Sequence, residues 1–198
     1  MIHIFKILLI TFLFSAVSTA QSRQIKASED AYVQGGETSN EALGKTSPKK
    51  LLICNSTENT KWARSTFLKF PMPKKMAGGT NIELNIPVKV YKVESNSALT
   101  FNLEVFGAAN DEWDESTITW ATKPLQGALL GSTEVKQSLD NKSTWIKVKL
   151  EAKEFNKLFN NKDKEVTLVL ANSNFNKTSA IISSKEAFAK NVAYLQID

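Results

Sequence analysis

Histidine is nearly missing from this 198-residue sequence, and its one copy, His3, stands at the extreme N-terminus. Once that segment is set aside, no imidazole remains. This excludes Ser-His-Asp and Cys-His nucleophile systems, an imidazole general base and the common histidine-containing zinc sites. Cysteine is equally scarce. Cys54 is alone, so the chain has no intrachain disulfide, and its stability must come from a hydrophobic core, which a chain of this size can build. The preferred reading of Cys54 is a small buried hydrophobe in a strand, against a reactive thiol or a bridge between two chains. Internal repeats and long linkers are also absent, and beyond the N-terminus no apolar run is long enough to cross a bilayer of roughly 30 Å as a helix.

What is present begins with an export pattern. Lys6 supplies a positive charge, Ile7 to Phe14 forms a short apolar core, and Ser18 and Ala20 form a small-x-small site. That order is the order of a secretory signal, so residues 1–20 are expected to be a signal peptide cleaved after Ala20. The mature chain, 21–198, then fits one domain and is expected to be secreted, either free or at the cell surface. The formal charge is +5; removing Lys6 leaves +4. A modest positive balance suits an anionic partner and also serves solubility.

Hydrophobic residues in the mature chain recur with period two, the spacing of a half-buried strand. Lys50 to Cys54 is a compact apolar run. Arg64 to Phe70 places Arg64, Thr66, Leu68 and Phe70 on one side, and Ser65, Phe67 and Lys69 on the other. Asn81 to Lys92 alternates through Ile82, Leu84, Ile86, Val88 and Val90, with Pro87 implying an edge or a bulge. Further strands are expected at 100–106, 145–150, 166–171, 180–184 and 192–197. Only Glu151 to Asn160, with Phe155, Leu158 and Phe159, has helical spacing, and it is expected as one short connecting helix. The fold class is therefore all-β, a sandwich or barrel of antiparallel strands; regular βαβ alternation is missing, which disfavours a parallel α/β fold. Polar loops at 38–49, 55–61 and 140–143 are natural places for ligand contacts.

Asp30-Ala31-Tyr32-Val33-Gln34-Gly35-Gly36, Asn40 with Leu43-Gly44, Arg64 followed by Phe67-Leu68-Lys69-Phe70, and the segment Asp111 to Trp120 with Pro124 occur in a familiar order. Trp145, the 166–171 strand and Ser183 to Ala187 complete it. Together they resemble the DNRLRE-type domains, and in particular carbohydrate-binding module family 96, over nearly all of 27–198. The resemblance implies a jelly-roll β-sandwich in a secreted protein, and binding of alginate-like acidic glycans through basic residues. Where the family often places lysine, this sequence has Cys54.

Two constellations bear on function. Asp111 to Trp120 holds four acids and two tryptophans. It can be read as a carboxylate pair for glycoside hydrolysis or as a sugar-stacking platform. The preferred reading is a structural turn in which Trp113 and Trp120 fill the sandwich. The second constellation is Tyr32, Lys61, Trp62, Arg64, Lys69 and Lys185, the candidate carbohydrate-binding residues. Arginine holds a uronate carboxylate in a bidentate fork, lysine adds charge, and Trp62 or Tyr32 can stack on a sugar ring. The competing reading is a solvated basic surface with one buried ion pair, Arg64 with Glu186. Strict alternation separates Arg64 from Lys69.

Calcium is the one candidate cofactor, through Glu29, Asp30, Asp111 and Asp114, although their spacing matches no recognised calcium loop. Asn55, Asn141 and Asn176 head glycosylation acceptor triplets. The leading functional expectation is a secreted, non-catalytic module for an acidic polysaccharide. The alternatives are a structural or adhesive extracellular sandwich without a glycan ligand, and a uronate lyase with Tyr32, Tyr91 or Tyr194 as base beside Arg64. No feature points to nucleic acid. The exact glycan and the oligomeric state stay open.

Overall fold

The computed structural model describes residues 22–73, 80–159, 164–187 and 191–198. The expected signal peptide, residues 1–20, lies outside the described residues. Eleven strands are described: β1 (Arg23–Lys26), β2 (Glu29–Gln34), β3 (Lys50–Ile53), β4 (Arg64–Pro71), β5 (Ile82–Lys92), β6 (Thr100–Ala108), β7 (Gln126–Lys136), β8 (Thr144–Leu150), β9 (Glu165–Ala171), β10 (Thr178–Ser183) and β11 (Tyr194–Ile197). They form a six-stranded sheet, β1-β11-β5-β10-β3 with β8 also on β5, and a five-stranded sheet, β2-β4-β9-β6-β7. Every pairing is antiparallel. The architecture is an all-β jelly-roll sandwich.

Alternation decides which side chains fill the space between the sheets. Leu68 and Phe70 of β4, Ile82 to Val90 at every second position of β5, Phe101, Leu103 and Val105 of β6, and Val166, Leu168 and Leu170 of β9 share one core. Burying each such side chain stabilises the fold by about 1.5–3 kcal/mol relative to leaving it in water. The expected helix is α2 (Ala152–Leu158), which caps one end of this core with Phe155 fully buried. A second single turn, α1 (Leu43–Thr46), was not expected; it packs beside β2.

Pro87 is not at a sheet edge. It lies in β5, the strand with most neighbours, opposite Trp145 of β8. On the other side of β5, β11 has ended opposite Asn85 and β10 begins opposite Val88. A residue without an N–H is tolerated at this changeover because no partner residue is registered there. Strand β7 escapes the period-two pattern for a related reason. Two register shifts interrupt its pairing with β6, so its buried residues Leu130 and Val135 are five apart, and no alternation survives in the sequence.

Candidate functional site

The outer face of the five-stranded sheet carries a second, smaller core. Alternation turns Ser65, Phe67 and Lys69 of β4 away from the sandwich, and Phe67 and Lys69 meet the loop between β6 and β7 there. Ala31, Val33, Phe67, Val169, Trp113 and Ile118 pack together, with Trp120 against them. The two tryptophans therefore do not fill the sandwich; they fill a layer outside it. Trp113 stands edge-on to Phe67, with centroids 6.0 Å apart, and its indole N–H donates to Thr167 Oγ1 at 2.8 Å. Asp114 accepts the Ser116 hydroxyl and, at 2.8 Å, the Ser116 backbone N–H, which closes the turn; the hydroxyl bond first and the N–H bond second hold its carboxyl below the usual range.

This layer explains Lys69. Its side chain is buried, donates to Glu29 Oε1 at 3.0 Å and to the Trp113 carbonyl, and lies 4.8 Å from the Trp113 ring centroid. A charge this deep is held only where partners satisfy it. Lys185 is tied in the same way, by Glu115 at 2.8 Å and by Glu186. Partial burial alone would lower its pKa, but the two carboxylates outweigh burial and raise it. Glu186 therefore pairs with Lys185, and the Arg64–Glu186 pair of the competing reading is not among the ion pairs of the described residues. The backbone N–H groups of Asp30 and Glu115 donate to Glu115 Oε2 and Glu29 Oε2. These contacts strap the 109–125 loop and the 184–187 turn to strand β2. Asp30 sits beneath the strap, 5% exposed. Its Oδ2 accepts the Lys185 backbone N–H at 2.8 Å, while Oδ1 has no partner. Burial, with smaller pushes from Glu186 and Glu115, raises its pKa to about 7 against the pull of Lys185.

The remaining candidates gather at another place. Strand β4 begins at Arg64, whose backbone bridges Cys54 through bonds of 3.1 and 2.7 Å. Cys54 is buried and free, and burial raises its thiol pKa. Arg64 Nε donates to Gln34 Oε1 at 2.8 Å, so Gln34 orients the guanidinium. Cross-strand register pairs the two residues, and no local sequence pattern marks Gln34. Trp62 is 49% exposed. Lys61 Nζ lies 5.5 Å from its ring centroid and Arg64 Cζ 5.8 Å, within reach of a cation–π attraction.

The Gly35-Gly36 pair supports this corner from below. Gly36 has φ +66°, and a Cβ there would sit 2.6 Å from the Lys61 nitrogen. Its N–H donates to Asn59 Oδ1 at 2.9 Å. The glycine thus lets the 55–63 loop press against β2 and sets where Lys61 and Trp62 emerge. Tyr32 lies two residues from Gln34 on the same side of β2, but it is 7% exposed and faces the sandwich.

The structure therefore brings Lys61, Trp62 and Arg64 together and keeps Lys69, Lys185 and Tyr32 in the framework. Tyr91 and Tyr194 belong to the other sheet, so of the three tyrosines only the buried Tyr32 is near Arg64. Among the described residues no group of three or more His, Cys, Asp or Glu side chains is arranged to hold a metal ion. Glu29 is committed to Lys69 and Asp114 to its own turn. Of the glycosylation triplets, Asn55 and Asn176 already spend their amides on Glu58 and the Thr100 carbonyl. No described helix is long and apolar enough to cross a membrane. A cleft of about 950 Å³ lies elsewhere, between Pro71–Met72, the 108–112 stretch and Lys157–Leu158. It contains none of the candidate binding residues.

The model of carbohydrate-binding module family 96 matches residues 21–198. No curated protein matches the sequence.

Proposed function

Because this chain belongs to carbohydrate-binding module family 96, a family of non-catalytic modules, we propose that it is exported and grips an acidic, alginate-like polysaccharide at the corner formed by Lys61, Trp62 and Arg64. The observation that supports this reading is the half-exposed Trp62 ring with two cations within 6 Å of its centre. A tryptophan face stacks on the apolar face of a pyranose. A guanidinium whose Nε is held by Gln34 keeps its two terminal nitrogens for a uronate carboxylate, in the bidentate geometry that lysine cannot offer. Lys61 adds a mobile charge. Lys69, Lys185 and Tyr32 serve the same site from within, by holding β2, β4 and the strap in register. Calcium is not needed for this mode of binding.

Calorimetry of the mature protein with alginate, pectin and a neutral glycan tests the reading. Trp62→Ala and Arg64→Ala are each expected to weaken alginate binding at least tenfold, about 1.4 kcal/mol, and added salt is expected to weaken it further. Equal retention on the neutral glycan, or an Arg64→Ala variant that binds as wild type, refutes the acidic-ligand reading. Retention on no glycan even at low salt favours the structural or adhesive alternative.

A further inference from the structure

The outward face of the six-stranded sheet holds a separate aromatic and cationic surface. The alternation that buries Ile82, Leu84, Ile86 and Val88 puts Glu83, Asn85, Pro87 and Lys89 on the opposite side of β5. Register then decides their neighbours. Pro87 is opposite Trp145. Asn85 has Lys147 on one side and Tyr194 on the other, and Lys26 lies beyond Tyr194. Glu83 sits between Lys149 and Gln196. The rings of Trp145 and Tyr194 meet across β5 with centroids 5.8 Å apart, and Trp145 is 46% exposed.

Sheet geometry sets the charge spacing. Lys26 and Lys147 are three strands apart, about 14 Å, with the aromatic pair between them. Lys147 and Lys149 are two residues apart on one face of β8, about 7 Å. Two acids stand near this field: Glu83 pairs with Lys147 at 3.2 Å, and Asp198 accepts from Asn81 at 2.9 Å. Lys26, Lys89 and Lys149 make no ion pair among the described residues. The face is thus a small apolar platform ringed by cations. A stable protein partner needs about 800 Å² of well-packed surface on each side, and lysine is depleted from such interfaces. An extended polyanion that offers flat sugar faces between carboxylates meets both features of this surface.

We propose that this face is a second binding surface for the acidic polysaccharide, with a sugar ring on Trp145 and Tyr194 and carboxylates on Lys26, Lys147 and Lys149. It rests on the reading of the chain as an acidic-glycan binder, but not on the corner at Trp62, which belongs to the other sheet. A module with two such surfaces is bivalent. It gains avidity on a polymer and links neighbouring chains.

The experiment is calorimetry of the full mature protein with a short uronate oligosaccharide, together with turbidity of a long-chain alginate solution. Wild type is expected to bind two oligosaccharides per protein and to cross-link the polymer. Trp145→Ala/Lys147→Ala and Trp62→Ala/Arg64→Ala are each expected to bind one and to abolish cross-linking. Both substituted pairs lie in exposed or half-exposed positions, and melting temperatures report their folding. If the first pair unfolds, the charge reversal Lys147→Glu/Lys149→Glu is read instead, with loss of one site expected. A Trp145→Ala/Lys147→Ala protein that still binds two oligosaccharides overturns the inference, as does a wild type with one site that the Trp62 pair removes. So does a wild-type dimer in sedimentation that the Trp145 pair dissociates, since the face is then a contact between copies. Failure of wild type to bind any uronate removes the proposed function itself and this inference with it.

Discussion

Replacing Asp30 with asparagine separates the ionisation of this buried carboxyl from its hydrogen bond. Asp30 is 5% exposed, one oxygen accepts the Lys185 N–H, the other has no partner, and its pKa stands at about 7 instead of 3.8. The folded state therefore keeps a proton that the unfolded state releases between those two values. In that window the native protein binds more protons than the unfolded chain, so stability falls as pH rises. Below pH 3.8 both states are protonated and the effect vanishes; above pH 7 it is fully developed. The shift of about three units corresponds to roughly 4 kcal/mol in full, at 1.36 kcal/mol per unit. Between pH 5 and pH 8 it amounts to about 2–3 kcal/mol. Asparagine keeps an acceptor for the Lys185 N–H but does not ionise. Its amide nitrogen takes the unpartnered position, at a cost of about 1–3 kcal/mol that does not vary with pH. The informative quantity is therefore the change with pH. Urea unfolding of wild type and Asp30→Asn at pH 5 and pH 8 is expected to show the variant gaining about 2–3 kcal/mol on wild type over that interval. In a domain of this size this is about 5–10 °C in Tm. Parallel stability profiles for the two proteins refute the argument, because they mean that Asp30 ionises in the fold as it does in water.

The strap offers two further tests. Lys69→Ala leaves Glu29 and the Trp113 carbonyl without their buried partner, and is expected to cost about 3–5 kcal/mol in urea unfolding; a loss under 1 kcal/mol contradicts the buried-network reading. Gly44→Ala places a Cβ 1.9 Å from the Glu115 carbonyl oxygen. It is expected to cost about 1–3 kcal/mol by lifting the 109–125 loop from α1, with Trp113 fluorescence shifting to the red as the ring meets water.

The sequence by itself determined the all-β class and most of the strands. Period-two burial is a local property, and the hydrophobic faces of β4, β5, β6 and β8 are written in it. The same alternation placed Arg64 and Lys69 on opposite faces of β4, as the structure shows. Strands β1, β2 and β7 were not legible as strands. Strand β1 is short and almost wholly exposed; β2 is buried at its four central positions, Asp30 to Val33, so no alternation marks it; β7 is interrupted by register shifts. That the single histidine, His3, stands in the expected signal segment, far from every candidate residue in the sequence, already limited the chemistry.

The division of the basic residues was decided by the tertiary structure alone. Lys69 and Lys185 look like ligand-binding cations when read along the chain. They are framework because Glu29, the Trp113 carbonyl and Glu115 reach them from segments about 40 to 70 residues away. The position of Trp113 and Trp120, outside the sheet instead of between the sheets, has the same origin. Alternation says that a residue faces one side of a sheet, and only the path of a distant loop says whether that side is covered. Lys61, Trp62 and Arg64 remain as the exposed corner, joined by the register between Gln34 and Arg64. The pairing of Trp145 with Tyr194 across β5 likewise exists only once β8 and β11 have docked on opposite edges of one strand.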